Sequence, residues 1–455
     1  MNSFRGRWII VGSIFLFFVF LIGLPQAMAF VPLKGDLSKY DPANQTYPTS
    51  GDTIKIAIWE AFSGPNAYLG EACVASLGFV VQDINSQGGI KVDGKMKKIQ
   101  IVKADTQSQV DMAKRAMEKS ILKDNIHAFS GGAGTPITRV GQALAKEYKV
   151  LYVCNTGYAD ELTALPDFNE YFFRTCGTST SLTKAAAVWY KKRPETKFYI
   201  LGQDYVGGRE FCSTFMKNVK ALKPSAQIVG EEYFPLFTKD FAPYLEKVRA
   251  SGAEVIVAYA WGADNENLIK QSRQMGLKSP LNPNIFIPMI GISTDDSRPL
   301  EAVGGPAGHG LVLNIDVDLD RRFPGAKKLN DIWNKLYRTT WKGPYHTTMY
   351  QWPKGGWIKY MTSYYWYFQA VQKAGSTDPK KVIAAWEGDT FDAFGQKHYM
   401  RPDDHQAIAD RPICEIVFPN TWNYPNAAAT GDLQWIAAKD CMPTFDEKLR
   451  GRVKK

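Results

Sequence analysis

From Thr53 to Asp316 the chain alternates between short, β-rich apolar runs and segments of helical periodicity, and few patterns restrict a fold more. The strand-like runs are Thr53–Trp59, Ile99–Lys103, His127–Ser130, Val150–Cys154, Lys197–Gly202, Ile228–Phe234, Val255–Ala260 and Gly310–Asp316. Between them, Gly70–Ile84, Val110–Lys123, Pro136–Tyr148, Gly207–Leu222, Asp240–Ala250 and Asp264–Met275 place their apolar residues on one helical face. Such alternation means βαβ units, in which parallel strands are joined by crossover helices that cover the sheet. One sheet holding every unit would be unusually large, so the expected fold is α/β with two Rossmann-like lobes. Tyr171–Thr175, after the turn-rich stretch around Pro166, is the expected first crossing between them. In open parallel sheets ligands bind beyond the carboxyl ends of the strands, so function is sought in the loops that follow them.

The N-terminus carries a different signal. Arg5 and Arg7 precede an apolar run from Trp8 to Leu24, followed by Pro25-Gln26-Ala27-Met28-Ala29. This is the pattern of a secretory signal peptide spanning residues 1–29, with cleavage after Ala29 and a mature start at Phe30. The alternative, an uncleaved anchor, needs about 20 apolar residues, and the run is short for that. No later run is apolar for long enough to suggest a span, and about 425 residues remain for the folded part. The formal charge of +10 includes the two signal-peptide arginines. The lysines are spread along the chain, which fits a solvated basic surface rather than a nucleic-acid site.

Six cysteines in an exported chain raise the question of disulfides. Cys414 and Cys441 share the C-terminal segment and are the expected pair. Cys73, Cys154, Cys176 and Cys212 sit in or beside regular elements, where a small buried hydrophobe is the alternative. From Phe323 onward the sequence turns helical and aromatic, with Trp333, Trp341, Trp352, Trp357 and Trp366 near Tyr364, Tyr365, Tyr367 and Phe368, a density expected of core.

A set of short motifs, weak singly, is specific in its order and spacing. Phe62-Ser63-Gly64-Pro65 and Gly70 follow the first strand; Asp83-Ile84-Asn85 and Gly88-Gly89-Ile90 come next, then Ile101-Val102-Lys103 with Asp105. Glu161-Leu162-Thr163, Asp204-Tyr205 with Gly208-Arg209, Gln271–Lys278 and Asp404-His405-Gln406 complete the series. In these features the chain resembles the leucine/isoleucine/valine-type periplasmic solute-binding proteins of ABC importers, over nearly all of its mature length. The resemblance implies two lobes with parallel sheets joined by a three-strand hinge that closes on ligand. It implies a leader over 30–52, a first lobe from 53–173 plus 315–390, and a second from 174–314 plus 391–455. It also implies a small-molecule binder, not an enzyme, that needs no cofactor or metal. The implied partner is an importer permease in the inner membrane, and the expected state is a monomer in the periplasm.

The residues of the site follow position by position. Ser130-Gly131-Gly132-Ala133-Gly134-Thr135-Pro136 leads from a strand into a helix, with Thr135 expected as N-cap and Pro136 in the first turn. Such a helix start suits an anion, and the resemblance implies that Gly134, Thr135 and Pro136 hold a ligand carboxylate. It implies the same for Thr156 and Tyr158 in the next loop. From the second lobe, Tyr205 and Trp261 match aromatic residues that close over the ligand. Leu69 stands near a position where the family often has a Tyr, with helix packing as the alternative. One departure bears on specificity. Where amino-acid binders carry an acid for the ligand ammonium, this chain reads Ile287-Pro288-Met289-Ile290-Gly291-Ile292, with Ile290 in the acid's place and Asp295 and Asp296 following.

The expected ligand is therefore a small carboxylate without an α-amino group, aromatic or branched aliphatic. A branched-chain amino acid, read by Asp295, Asp296 or water, remains the alternative. A ligand sensor of the same fold remains open as well. The five histidines form no H-E-x-x-H spacing, and no G-x-S-x-G elbow or Walker-type loop supports an enzyme.

Overall fold

The computed structural model describes residues 29–293, 297–346, 350, 353, 355–422 and 429–444. The alternating pattern resolves into two sheets. The first runs in the order Ile99–Asp105, Ile54–Glu60, Ala128–Gly131, Leu151–Cys154, Phe172–Arg174, with every neighbouring pair parallel. The second runs Gln227–Phe234, Lys197–Gln203, Val255–Tyr259, Met289–Gly291, Leu311–Asn314, again parallel. Arg411–Val417 then adds antiparallel to it. The strands are near-continuous apolar runs because both faces are covered: in Ile54–Glu60 every residue except Lys55 is buried.

Both parallel sheets have the same strand order, and in each the order reverses once. The reversal falls between Ile54–Glu60 and Ala128–Gly131 in the first, and between Lys197–Gln203 and Val255–Tyr259 in the second. Loops leaving the carboxyl ends of these strands diverge to opposite faces, which opens a crevice at each reversal.

The helix Ala67–Ser86 has the length and apolarity of a membrane span, contrary to the expectation that no later run would. It is a core helix, buried over most of its length and packed against Gly355–Ala374. Its Asp83 accepts hydrogen bonds from Leu33 N, Gly35 N and Tyr365 Oη, each at 2.6 Å, and so fastens the leader to the first lobe. The aromatic stretch forms core: Trp333, Trp341, Trp357, Trp366, Tyr364, Tyr365, Tyr367 and Phe368 are buried, while Trp352 lies outside the described residues.

The lobes are joined where three segments cross. Arg174 and Gln406 form a parallel bridge between two of them. Asp316, on the third, accepts from Gly177 N at 2.5 Å and Arg411 Nη1 at 2.6 Å, forming an ion pair almost wholly removed from solvent.

The expected Cys414–Cys441 disulfide is not formed. Side chains alternate faces along a strand, and Cys414 with Ile416 faces one core of the second lobe while Ile413 faces the other. Cys441 belongs to the core on Ile413's side, where its Sγ lies 3.4 Å from Ala437 O. The sheet itself separates the two sulfurs.

Candidate functional site

The two crevices face each other, and Leu69, Gly134, Thr156, Tyr158, Tyr205 and Trp261 meet in the cleft between them. Ala133, Tyr259, Ile292, Ser293, Lys359 and Tyr360 complete its lining. Its free volume is about 60 Å³, far below the roughly 300–1,000 Å³ of pockets for drug-sized ligands. The lobes are closed on it. Asn66 Oδ1 of the first lobe accepts from Ala263 N of the second at 3.3 Å, and Asp160 N donates to Glu210 Oε1 at 2.7 Å.

On the first-lobe side, the strand Ala128–Gly131 runs into a loop whose Gly131, Gly132 and Gly134 all have positive φ. A Cβ on Gly132 would stand 2.7 Å from the Trp59 ring, so glycine is required there on two counts. The cap of the following helix, Thr135–Tyr148, is Gly134 with φ 93°, and Thr135 is the first helical residue rather than the expected N-cap. The left-handed turn that glycine permits ends the loop one residue early. Thr135 is 2% exposed, and its Oγ1 has no hydrogen-bond partner among the described residues. A methyl added to Gly207 of the other lobe would lie 2.8 Å from that oxygen. Pro136 is exposed, and neither it nor Thr135 lines the cleft.

Thr156 Oγ1 donates to Gly131 O at 3.3 Å, tying the second loop to the first. Glu60, at the end of the strand Ile54–Glu60, is buried behind them and accepts from Ala61 N at 3.1 Å and Ala133 N at 3.3 Å. The Ala133 amide, part of the expected carboxylate cradle, is thus already occupied. Burial pushes the Glu60 carboxyl up to about 7. Tyr158 Oη donates to Asp316 Oδ2 at 2.9 Å and accepts from Lys359 Nζ at 2.9 Å, which links the cleft to the crossing segments.

On the second-lobe side, Tyr205 and Trp261 occupy the capping positions of Val206–Leu222 and Gly262–Gln274 in extended backbone conformation. Trp261 Nε1 donates to Tyr205 Oη at 2.9 Å, and Tyr205 Oη donates to Tyr259 Oη at 3.0 Å. Burial raises the Tyr205 hydroxyl to about 12, so it stays a neutral donor. Ile290 does not reach the cleft. It sits within Met289–Gly291, paired with Val257 and Val312, and is buried in the core; Ile292, beyond the strand end, lines the cleft instead. Asp295 and Asp296 lie outside the described residues.

Lys359, Tyr360 and Tyr259 escaped sequence reasoning. Tyr259 differs from neighbouring core residues only by its place at a strand end. Lys359 had a signal: a lysine set in the aromatic first half of the helix Gly355–Ala374, whose other lysine, Lys373, lies in the exposed last turn. The other polar clusters are structural. Asp404 Oδ2 pairs with Arg401 Nη2 at 2.6 Å, and the buried His405 ring lies between Phe172 O and Glu387 Oε1. Among the described residues no group of His, Cys, Asp and Glu is arranged to hold a metal.

A larger cavity of about 360 Å³, lined by Phe323, Lys397, Asp410 and Trp435 among others, shares no residue with the cleft.

Comparison with known proteins agrees with the two-lobed architecture. The periplasmic binding protein family profile matches residues 53–418. The Leu/Ile/Val-binding protein of Escherichia coli K12 is 23% identical over 62% of this chain and 72% of its own length. A solute-binding protein of an ABC transporter from Rhodopseudomonas palustris BisB5, solved with 3,4-dihydroxybenzoic acid, superposes with a TM-score of 0.71 at 19% identity, covering 85% of this chain and 98% of its own. A branched-chain amino acid ABC transporter ligand-binding protein from Burkholderia xenovorans LB400 gives 0.65 at 22% identity, covering 86% and 97%. The profile spans both lobes and the crossing segments between them, and the chain belongs to the periplasmic binding protein family.

Proposed function

We propose that this protein captures a small carboxylate without an α-amino group, aromatic or branched aliphatic, and delivers it to the permease of an ABC importer. The observation that carries this reading is the division of the cleft: polar groups and Lys359 on the first-lobe side, and a hydrogen-bonded aromatic wall of Tyr205, Tyr259 and Trp261 on the other. No acidic residue is among the described residues that line it. An amino acid bound there would bury its ammonium beside apolar groups, at a cost of several kcal/mol, roughly a thousandfold or more in affinity. The aromatic-acid complex of the Rhodopseudomonas relative supports the same class. In this reading Thr156 and Tyr158 face the carboxylate, and Gly134 and Thr135 shape the loop behind it. Tyr205 and Trp261 cover the body of the solute.

The rest of the proposal follows the export signal and the family. Residues 1–29 are removed on export, and the mature chain works as a periplasmic monomer. Residues 53–173 with 315–390 form one lobe, and 174–314 with 391–455 the other. A thermal-shift screen that pairs amino acids with their deaminated analogues is the test. Stabilisation by amine-free acids is the expected result, and stabilisation by leucine or phenylalanine alone overturns it. The amino-acid reading is favoured by the Escherichia coli relative's name and requires Asp295, Asp296 or water to meet the ligand ammonium.

A further inference from the structure

We infer that Lys359 is the charge that selects the solute, binding its carboxylate directly and repelling solutes that carry an ammonium next to that carboxylate. The inference deepens the proposed function and rests on it.

Lys359 lies on the helix Gly355–Ala374, where Ile358, Met361, Tyr364, Tyr365 and Trp366 are fully buried. A lysine normally extends its stem along apolar surface and keeps its ammonium in water. Lys359 does not: it is 8% exposed, and the cleft is the space it borders. Its Nζ donates to Tyr158 Oη at 2.9 Å, with the Tyr158 and Tyr360 rings centred 5.3 and 5.2 Å away. That hydrogen bond uses one of three ammonium donors.

The carboxylates nearby are committed elsewhere. Asp316 meets Lys359 only through Tyr158 and is held by Arg411 Nη1 and Gly177 N. Glu60 is within electrostatic reach, but its oxygens accept from Ala61 N and Ala133 N. Among the described residues none forms an ion pair with Lys359. A buried cation hydrogen-bonded to a phenol and flanked by two rings, with the nearest carboxyl, Glu60, hydrogen-bonded to backbone amides instead, is under-compensated, and a solute carboxylate entering the cleft supplies what the protein does not. The Glu60–Ala133 hydrogen bond strengthens the case, because it removes one amide from the loop otherwise expected to hold the anion. The same ammonium acts against an amino acid, whose own ammonium cannot be far from its carboxylate.

Isothermal titration of the mature chain tests this, using 3,4-dihydroxybenzoate, benzoate and 4-methylpentanoate, the neutral amide of each, and leucine. At least one acid is expected to bind, and its amide about a hundredfold more weakly. Lys359→Met should lose about a hundredfold for the acid and bring acid and amide within about tenfold of each other, while Lys359→Arg stays within about tenfold of the native protein. If a melting curve shows that Lys359→Met does not fold, Lys359→Gln is titrated in its place. Acid affinity unchanged in the uncharged variant overturns the inference and leaves the proposed function standing. Equal losses for acid and amide overturn it too, since they mark a structural role. A native protein that prefers leucine, or binds none of the acids, overturns both readings.

Discussion

The two lobes present one topology with two chemistries. In each, five parallel strands reverse their order once, and the loops at the reversal face the cleft. The first lobe brings hydroxyls, a left-handed glycine loop and a buried acid to its reversal, and a buried cation to the cleft beside it. The second brings Tyr205, Tyr259 and Trp261, linked hydroxyl to hydroxyl to indole. The difference teaches that strand order chooses where a ligand sits, while the residues placed just past the strand ends choose what it is. One lobe is suited to hold a charged head group, and the other to exclude water from it.

That division holds only while the lobes face one another, so the largest effect should come from the joint. Asp316→Ala leaves Arg411 as an uncompensated buried charge and should cost about 3–5 kcal/mol in stability, read as a lower midpoint of urea denaturation. An unchanged midpoint would mean the crossing segments are held by something else.

Trp261→Ala should weaken solute binding by about 2–3 kcal/mol, roughly 30- to 150-fold, by removing an aromatic anchor. Titration calorimetry should show this with little change in melting temperature. A loss smaller than that of Thr156→Ala, for which one hydrogen bond of about 1 kcal/mol is expected, would reverse the roles assigned to the two walls.

The buried acids give the cleft a pH dependence of defined sign. Glu60 has its carboxyl raised from 4.5 to about 7 by burial, so the folded chain binds this proton more tightly than the unfolded one. Its contribution is fully present below pH 4.5 and is lost as pH rises through 7. Glu210, raised to about 7 by burial across the interlobe contact, acts in the same direction. Glu60→Gln should therefore gain on the native protein by something on the order of 2 kcal/mol between pH 5 and pH 8 in chemical denaturation. A constant difference across that range would show Glu60 to be ionised throughout.

The smallest effect belongs to the hydroxyl relay. Tyr205→Phe keeps the ring but leaves Trp261 Nε1 without its acceptor, which should weaken binding by about 1 kcal/mol. No change would make the relay a packing feature of the second lobe.

The sequence was informative where the physics is local. Alternating periodicities placed the strands they named to within a residue or two, as with Lys197–Gly202 against the observed Lys197–Gln203, because a buried parallel strand must be apolar on both faces, but they did not name Met289–Gly291 or Arg411–Val417. Strand ends pointed to the loops in which Tyr158, Tyr205 and Trp261 lie, and the family resemblance picked those residues out within them. Local reasoning failed where the answer depended on what lay across a sheet or a cleft. Cys414 and Cys441 share the C-terminal segment, yet strand alternation turns Cys414 to one face of the sheet while Cys441, on the short helix Ala438–Cys441, packs in the core on the other. Ile290 matched by position, yet the strand continues past it and Ile292 takes its place at the cleft.

What the sequence determined by itself was the α/β class, the two lobes and the loops that would carry function, because periodicity and turn chemistry act over a few residues. Only the tertiary structure decided that Lys359, some two hundred residues along the chain from Tyr158, would bring its ammonium to that hydroxyl. It alone decided that Asp316 and Arg411 would fasten the crossing segments beneath them. A charge in an aromatic helix is a local oddity until the fold brings to it the surfaces that it must either pair with or leave open, and those surfaces come from chain segments that no local pattern connects.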